Sequence, residues 1–193
     1  MISGNGSNLQ AILDACKSGE LSAAVVAVVS DNPSAYGLQR ANKYHIPTIV
    51  KSRNVSQSKS DYEKELCECI QVFQPDWIVL AGWMKLLSSV FLNCFSQRVI
   101  NLHPALPHTF PGLKSIERAF TAFKNSEIKE TGVMVHLVPD EGVDNGPVLK
   151  EAVVPIMDND TLESLTQRMR ETEHKTLVEA LIELERTHKA EKI

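Results

Sequence analysis

The stretch Arg98-Val-Ile-Asn-Leu-His-Pro-Ala-Leu-Pro107 decides how the chain is read. Val99 and Ile100 are apolar and β-branched, the end of a buried strand, and Pro104 forces the chain out of regular pairing. Side chains alternate faces along a strand, so Asn101 and His103 point one way while Ile100 and Leu102 point the other. An amide and an imidazole then stand side by side at a strand's carboxyl end, the edge where open α/β sheets bind ligands. On this stretch alone, a polar strand end with a hydrogen-bonded histidine explains the residues as well as a site does.

Upstream, strands and helices alternate. Ser3-Gly-Asn-Gly-Ser-Asn-Leu9 is a glycine-rich turn entering a helix whose apolar stripe is Leu9, Ile12, Leu13 and Cys16, with Ser7 or Asn8 as N-cap. Backbone N–H groups at such a helix start suit a phosphate. Leu9 stands where a dinucleotide fingerprint needs its third glycine and no G-K-[ST] follows, so a phosphomonoester fits better than a nucleotide cofactor. Ala23–Ser30 is a continuous apolar run, read as a strand covered on both faces. A helix over Tyr36–Tyr44, an edge strand over Ile46–Val50 and a polar loop over Lys51–Ser60 follow. Next come a helix over Asp61–Phe73 with Tyr62, Leu66, Cys69, Ile70 and Phe73 inward, a strand over Pro75–Ala81, and a short helix over Leu86–Phe95.

Downstream, the pattern predicts a helix over Leu113–Lys124 and strands over Gly132–Val138 and Pro147–Ile156. The two strands form an antiparallel hairpin around the acidic loop Pro139-Asp-Glu-Gly-Val-Asp-Asn-Gly146. Asp160-Thr-Leu-Glu163 has the form of a capping box. The long helix after it carries Leu162, Leu165, Met169, Leu177, Leu181 and Leu184 on one stripe, which also passes through Glu173. A carboxylate on a core-facing stripe needs a partner, either a basic side chain or a ligand. The whole reads as an α/β fold: a doubly wound, mostly parallel sheet with antiparallel strands toward the C-terminus.

The 193 residues suffice for one large domain, with 43% hydrophobic and 23% charged residues, ordinary for a globular protein. A net charge of −4 argues against nucleic-acid binding through phosphate contacts. Cys16, Cys67, Cys69 and Cys94 form no C-x-x-C, and Cys67 and Cys69 diverge on a helix. They read as reduced thiols of a cytoplasmic protein, not a disulfide frame or zinc site. No apolar run approaches the roughly 20 residues needed to span a bilayer, and no secretory signal is visible.

Three elements in order, Ser3-Gly-Asn-Gly-Ser-Asn-Leu-Gln10, Asn101-Leu-His-Pro104 and Asp140-Glu-Gly-Val-Asp-Asn-Gly-Pro147, resemble the glycinamide ribonucleotide formyltransferases of purine biosynthesis. The likeness extends through Leu80-Ala-Gly-Trp-Met-Lys-Leu-Leu87, Thr131-Gly-Val-Met-Val-His136 and Arg170-Glu-Thr-Glu-His174, nearly the whole chain. It implies a single, Rossmann-like formyltransferase domain over 1–193, with a phosphate-binding half to about residue 100 and a folate and catalytic half beyond. It implies transfer of a formyl group from 10-formyltetrahydrofolate, as co-substrate, to the amine of 5-phosphoribosylglycinamide. The resemblance makes Asn101, His103 and Asp144 the catalytic residues. Amine attack on a formyl carbon creates an oxyanion, which Asn101 and a protonated His103 would stabilise as donors, Asp144 favouring the charged ring. His103 would also pass a proton to the departing folate nitrogen. Neither a metal nor a covalent nucleophile is called for.

By the same resemblance Gly6, Ser7, Asn8, Leu9, Gln10 and Glu173 hold the nucleotide substrate. The folate lies along Trp83, Met84, Lys85, Leu86 and Leu87, against Asn101 and the loop Asp140, Glu141, Gly142 and Val143. Lys59 and Lys85 face its glutamate carboxylates, without the planar fork of an arginine. His136 is expected to support the site, while His45, His108, His174 and His188 receive no role. Trp77 reads as core. Family members begin with a strand of about five apolar residues, of which Met1 and Ile2 alone stand here, so the first strand is expected to be largely missing. Restoring a short apolar segment ahead of it is expected to raise the melting temperature.

A 10-formyltetrahydrofolate hydrolase would share the Asn-His-Asp centre with water as acceptor. It would carry an extra N-terminal regulatory domain, for which this chain has no room. A methionyl-tRNA formyltransferase would need a C-terminal nucleic-acid-binding extension and a basic surface. A non-catalytic phosphate- or folate-binding module would have no need of Asn101, His103 and Asp144 together.

Overall fold

The computed structural model describes residues 1–191. The chain forms two compact units, the first from Met1–Ile100 with Val138–Glu141, the second from Asn101–Leu137 with Gly142 onward. The boundary at Ile100 and Asn101 falls inside the strand that carries the opening motif.

In the first unit, helices and strands alternate as α1 (Ser7–Ser18), β1 (Val28–Ser30), α2 (Tyr36–Lys43), β2 (Thr48–Val50), α3 (Lys59–Gln71), β3 (Ile78–Leu80) and α4 (Ser89–Cys94), leading into β4 (Val99–His103). β1 and β2 pair in parallel. The expected missing strand is represented by residues 1–3. The Ile2 N–H donates to the Val29 carbonyl at 2.9 Å, while Ala81 and Ser3 exchange amide bonds with Met1 and Gly82 at 2.9 and 3.0 Å. Ile2 is buried with 1% exposure, so even this short segment anchors the sheet. One apolar cluster, built on Leu66, Phe91, Phe95 and Val99, holds α3, α4 and the strands together.

Several expectations shift. The run Ala23–Ser30 is strand only from Val28, and Ala23, Ala24 and Val26 are exposed. The ladder starts where the Val28 N–H reaches the Pro47 carbonyl at 2.9 Å; Pro47 has no N–H to carry it further. The N-cap of α1 is Gly6 rather than Ser7 or Asn8, in the left-handed region at φ 73° and with no side-chain cap. Only glycine fits, because a Cβ there would stand 2.7 Å from Gly37 Cα. On α3, Glu63 and Cys67 are buried in place of Cys69 and Phe73. The Glu63 carboxylate is accommodated because it accepts from the Ser88 N–H at 3.0 Å and from the Ser88 hydroxyl.

The second unit contains α5 (Ser115–Lys124), β5 (Glu130–Leu137), β6 (Val148–Pro155) and α6 (Leu162–Glu191). β5 and β6 form the expected antiparallel hairpin, whose register shifts between Val135 and His136. β3, β4, β5 and β6 are hydrogen-bonded in that order, so the fold is α/β with a mostly parallel sheet and antiparallel strands toward the C-terminus. Val133, Val154, Leu165 and Met169 form the core beneath α6. The capping box sits one residue later than expected. Thr161 and Ser164 cap each other at 3.0 and 3.1 Å, while Asp160 takes a bidentate bond from Arg168 at 2.9 and 2.7 Å. Among the described residues no helix is long and apolar enough to cross a membrane. The side chain of His188 lies outside the described residues.

Candidate active site

β4 delivers Asn101 and His103 to one place, as its alternation requires, and the loop after β5 brings Asp144 to meet them. Asp144 sits at φ 52°, a strained conformation for a residue with a Cβ and one that clusters at functional sites. Its Oδ2 lies 3.2 Å from His103 Nδ1 and accepts from the Gly112 N–H at 2.8 Å. Its Oδ1 accepts from Asn101 Nδ2 at 3.0 Å. His103, 4% exposed, has its other nitrogen 3.1 Å from the Phe110 carbonyl. Both ring nitrogens therefore face acceptors, and only the imidazolium satisfies both.

Burial pushes His103 below its ordinary value, and the upward pull of Asp144 and the Phe110 carbonyl offsets this only in part. The charged ring is thus favoured by its partners and opposed by its surroundings. For Asp144, burial raises the carboxyl, but His136, the Gly112 N–H and His103 outweigh it and hold it below the usual carboxylate range.

His136, expected to support the site, lies against Asn101. It is 1% exposed, with Nδ1 at 2.8 Å from the Leu137 carbonyl and Nε2 at 3.2 Å from Asn101 Nδ2. The amide nitrogen of Asn101 thus stands within hydrogen-bonding distance of both Asp144 and His136, beside His103. The Phe110 carbonyl and Gly112 amide could not have been assigned from sequence, since any residue supplies such groups.

The remaining expected residues fall within the two units separately. In the first, the turn Gly6–Gln10 opens α1 with no side-chain cap at Gly6, and the backbone N–H groups of a helix start suit an anion. The Gln10 side chain is engaged internally with Asp14, Tyr44 and Arg40, and its backbone N–H donates to the Gly6 carbonyl at 2.9 Å, so its donors are taken up within the unit. Arg40, unmarked in the sequence, braces this turn by donating to the Asn5 carbonyl at 2.9 Å and to Asn5 Oδ1 at 3.1 Å.

Also in the first unit, Lys59, Trp83, Met84, Lys85, Leu86 and Leu87 line one cavity of about 880 Å³, together with Arg53, Tyr62 and Ser3. Met84 and Leu86 are exposed apolar side chains, whereas Trp83 and Leu87 are buried. The Trp83 indole N–H is buried with no hydrogen-bond partner among the described residues. Lys59 Nζ stands 3.8 Å from Glu63. The Glu141 carboxylate accepts from the Ser89 N–H at 2.8 Å, which holds its carboxyl below the usual range. Helix-start amides attract a carboxylate in this way. Asp140 belongs to the same unit. In the second, Gly142 is pressed against Asn145, whose side chain lies 2.4 Å from where a Cβ would be. Val143 is exposed and Glu173 half-buried.

A strand-end histidine paired to a strained aspartate, beside a half-buried amide, is an arrangement able to stabilise the oxyanion of an acyl transfer. Comparison with known proteins agrees. A family profile described as formyl transferase matches residues 1–181, and the chain belongs to that family. It is 45% identical over 194 residues to a phosphoribosylglycinamide formyltransferase of Dictyostelium discoideum, covering 94% of each chain. To the Escherichia coli protein of the same name it is 40% identical over 174 residues, covering 90% of this chain and 80% of that one. A crystal structure of phosphoribosylglycinamide formyltransferase from Bacillus halodurans superimposes with a TM-score of 0.88 at 36% identity, covering 95% and 92%.

Proposed function

We propose that this chain transfers a formyl group from 10-formyltetrahydrofolate to the amine of 5-phosphoribosylglycinamide, a step of purine biosynthesis, in the cytoplasm. The observation that carries the chemistry is His103, buried between the Asp144 carboxylate and the Phe110 carbonyl. The relatives' names support the substrates.

In this reading the amine lone pair forms a bond to the formyl carbon while the carbonyl electrons move onto oxygen. His103 Nε2, released from Phe110, donates to that oxyanion; Asp144 stabilises the imidazolium through Nδ1. As the intermediate collapses, the bond from carbon to the folate nitrogen breaks. The nitrogen takes up a proton, and the former amine loses one, so the proton count balances through His103. The turn Gly6–Gln10 holds the phosphate and Glu173 contacts the nucleotide substrate. The cavity lined by Lys59 and Trp83–Leu87 takes the folate, its cations meeting the glutamate carboxylates. The loop Asp140–Val143 meets the pterin through its backbone.

A spectrophotometric assay with 10-formyltetrahydrofolate, with and without phosphoribosylglycinamide, tests this. Folate turnover that depends on the amine is expected, with His103→Ala removing most of it. Turnover indifferent to the amine would point to the hydrolase.

A further inference from the structure

We propose that Arg40 is a positioning residue for the nucleotide substrate: its guanidinium staples the two ends of the stretch Asn5–Gln10, so that the backbone N–H groups between them face the phosphate. The proposal rests on the reading above, in which that turn holds the phosphate.

The staple consists of three bonds. Arg40 Nε donates to the Asn5 carbonyl at 2.9 Å, and one terminal nitrogen donates to Asn5 Oδ1 at 3.1 Å, both ahead of α1. The other terminal nitrogen donates to Gln10 Oε1 at 3.0 Å, in the first turn of α1. One rigid plane thus bridges the helix start, which the single nitrogen of a lysine could not span. Gln10 is itself fixed, because its amide nitrogen lies 2.9 Å from Asp14 Oδ1 and 3.0 Å from the Tyr44 hydroxyl. The guanidinium lies over the Tyr36 ring, 4.9 Å from its centroid, which holds the plane in place.

These bonds set the direction of the backbone. An anion needs N–H groups toward it and carbonyls away from it. Three successive carbonyls are drawn off by donors of α2 or of the turn before it. Ser3 accepts from Asn32 Nδ2 at 3.2 Å, Gly4 from the Gly37 N–H at 3.1 Å, and Asn5 from Arg40. Arg40 secures the last of the three, immediately before Gly6 takes its left-handed turn into α1.

Charge adds to position. The three acceptors of Arg40 are all uncharged, so its positive charge is not cancelled by the groups it grips. A phosphate on the same turn meets that charge. Arg40 does not line the cavity of Lys59 and Trp83–Leu87, so its effect falls on one substrate and not on the folate.

Steady-state kinetics with both substrates test this. Arg40→Lys keeps the charge and loses the fork. It is expected to raise the KM for phosphoribosylglycinamide on the order of 10-fold, with kcat and the folate KM unchanged. Asn5→Ala, at an exposed position, cuts one arm and should raise the same KM by a smaller factor. Combined with Arg40→Lys it should add little, because both act through one staple. An unchanged nucleotide KM in Arg40→Lys, or a folate KM that rises as much, would overturn the proposal.

A second measurement needs no turnover: inorganic phosphate titrated into the ¹⁵N-labelled protein and followed at the amides of Gly6, Ser7 and Leu9. The wild type is expected to show saturable shifts there, and Arg40→Lys to bind on the order of 10-fold more weakly. Equal binding by the two proteins would refute the staple while leaving the formyl-transfer reading intact. An absence of shifts in the wild type would remove the phosphate seat and the proposal with it, formyl transfer still being judged by the folate assay.

Discussion

His103 Nδ1 stands 3.2 Å from Asp144 Oδ2, and the two groups are pushed in the same direction by their common environment. Both His103 and Asp144 are held below their ordinary values, the histidine because burial disfavours its charge, the aspartate because its partners favour its charge. Burial thus opposes the charge on the ring while Asp144 and the Phe110 carbonyl favour it.

Asp144→Asn removes the strongest upward pull on His103. Its NMR titration midpoint is expected to move further down, and the pH above which turnover declines should move down with it. Stability follows the same sign. Unfolded His103 takes up a proton near 6.5 and the folded ring only at lower pH, so acid favours unfolding through that window. Asp144 adds to this loss as pH falls below about 3.8, and the variant should lack that second part. An unshifted His103 midpoint would mean that Asp144 does not set the ring's charge.

Ser88→Ala is expected to destabilise the protein by about 1–3 kcal/mol, read from urea denaturation. The hydroxyl caps α4 through the Val90 N–H and donates to Glu63, whose side chain is 1% exposed. Its loss leaves a buried carboxylate with one donor fewer. A change below about 0.5 kcal/mol, the range of a surface substitution, would show that Glu63 reaches water.

Lys114→Gly is expected to raise stability by about 0.5–1 kcal/mol at an unchanged denaturant slope. Lys114 is the N-cap of α5 at φ 57°, a left-handed conformation that costs a residue with a Cβ, and no side chain caps the helix there. It also places a positive charge at the positive end of a helix. A lower denaturation midpoint would mean that the lysine side chain holds the turn.

Trp83→Phe keeps an aromatic ring and removes an indole N–H that is buried without a partner among the described residues. The relief of the unpaired N–H and the cavity left by the smaller ring oppose each other, so stability should change by less than about 2 kcal/mol while the folate KM rises less than tenfold. A folate KM raised tenfold or more would show that this N–H holds the ligand, since it lines the same cavity as Lys59 and Leu87.

The alternation in Val99–His103 was enough to place Asn101 and His103 on one side of a strand, and the order of strands and helices was enough for the fold class. Both depend on local periodicity, which neighbouring residues carry. Strand lengths were less legible: Ala23–Ser30 looks like one buried strand, yet it shrinks to Val28–Ser30 because pairing ends at Pro47, a partner about twenty residues away. The inward face of α3 was misjudged for a similar reason. Glu63 looks like a surface residue until Ser88 supplies its donors.

By itself the sequence determined which residue types could do the chemistry and where the chain turns, because those follow from side-chain identity and local spacing. Tertiary structure alone decided their states. His103 became a ring caught between Asp144 and the Phe110 carbonyl, and Asn101 an amide shared between Asp144 and His136. Protonation and hydrogen-bond direction depend on partners within about 3 Å in space, and residues 35 and 43 positions apart in the chain carry no local pattern that announces such contacts.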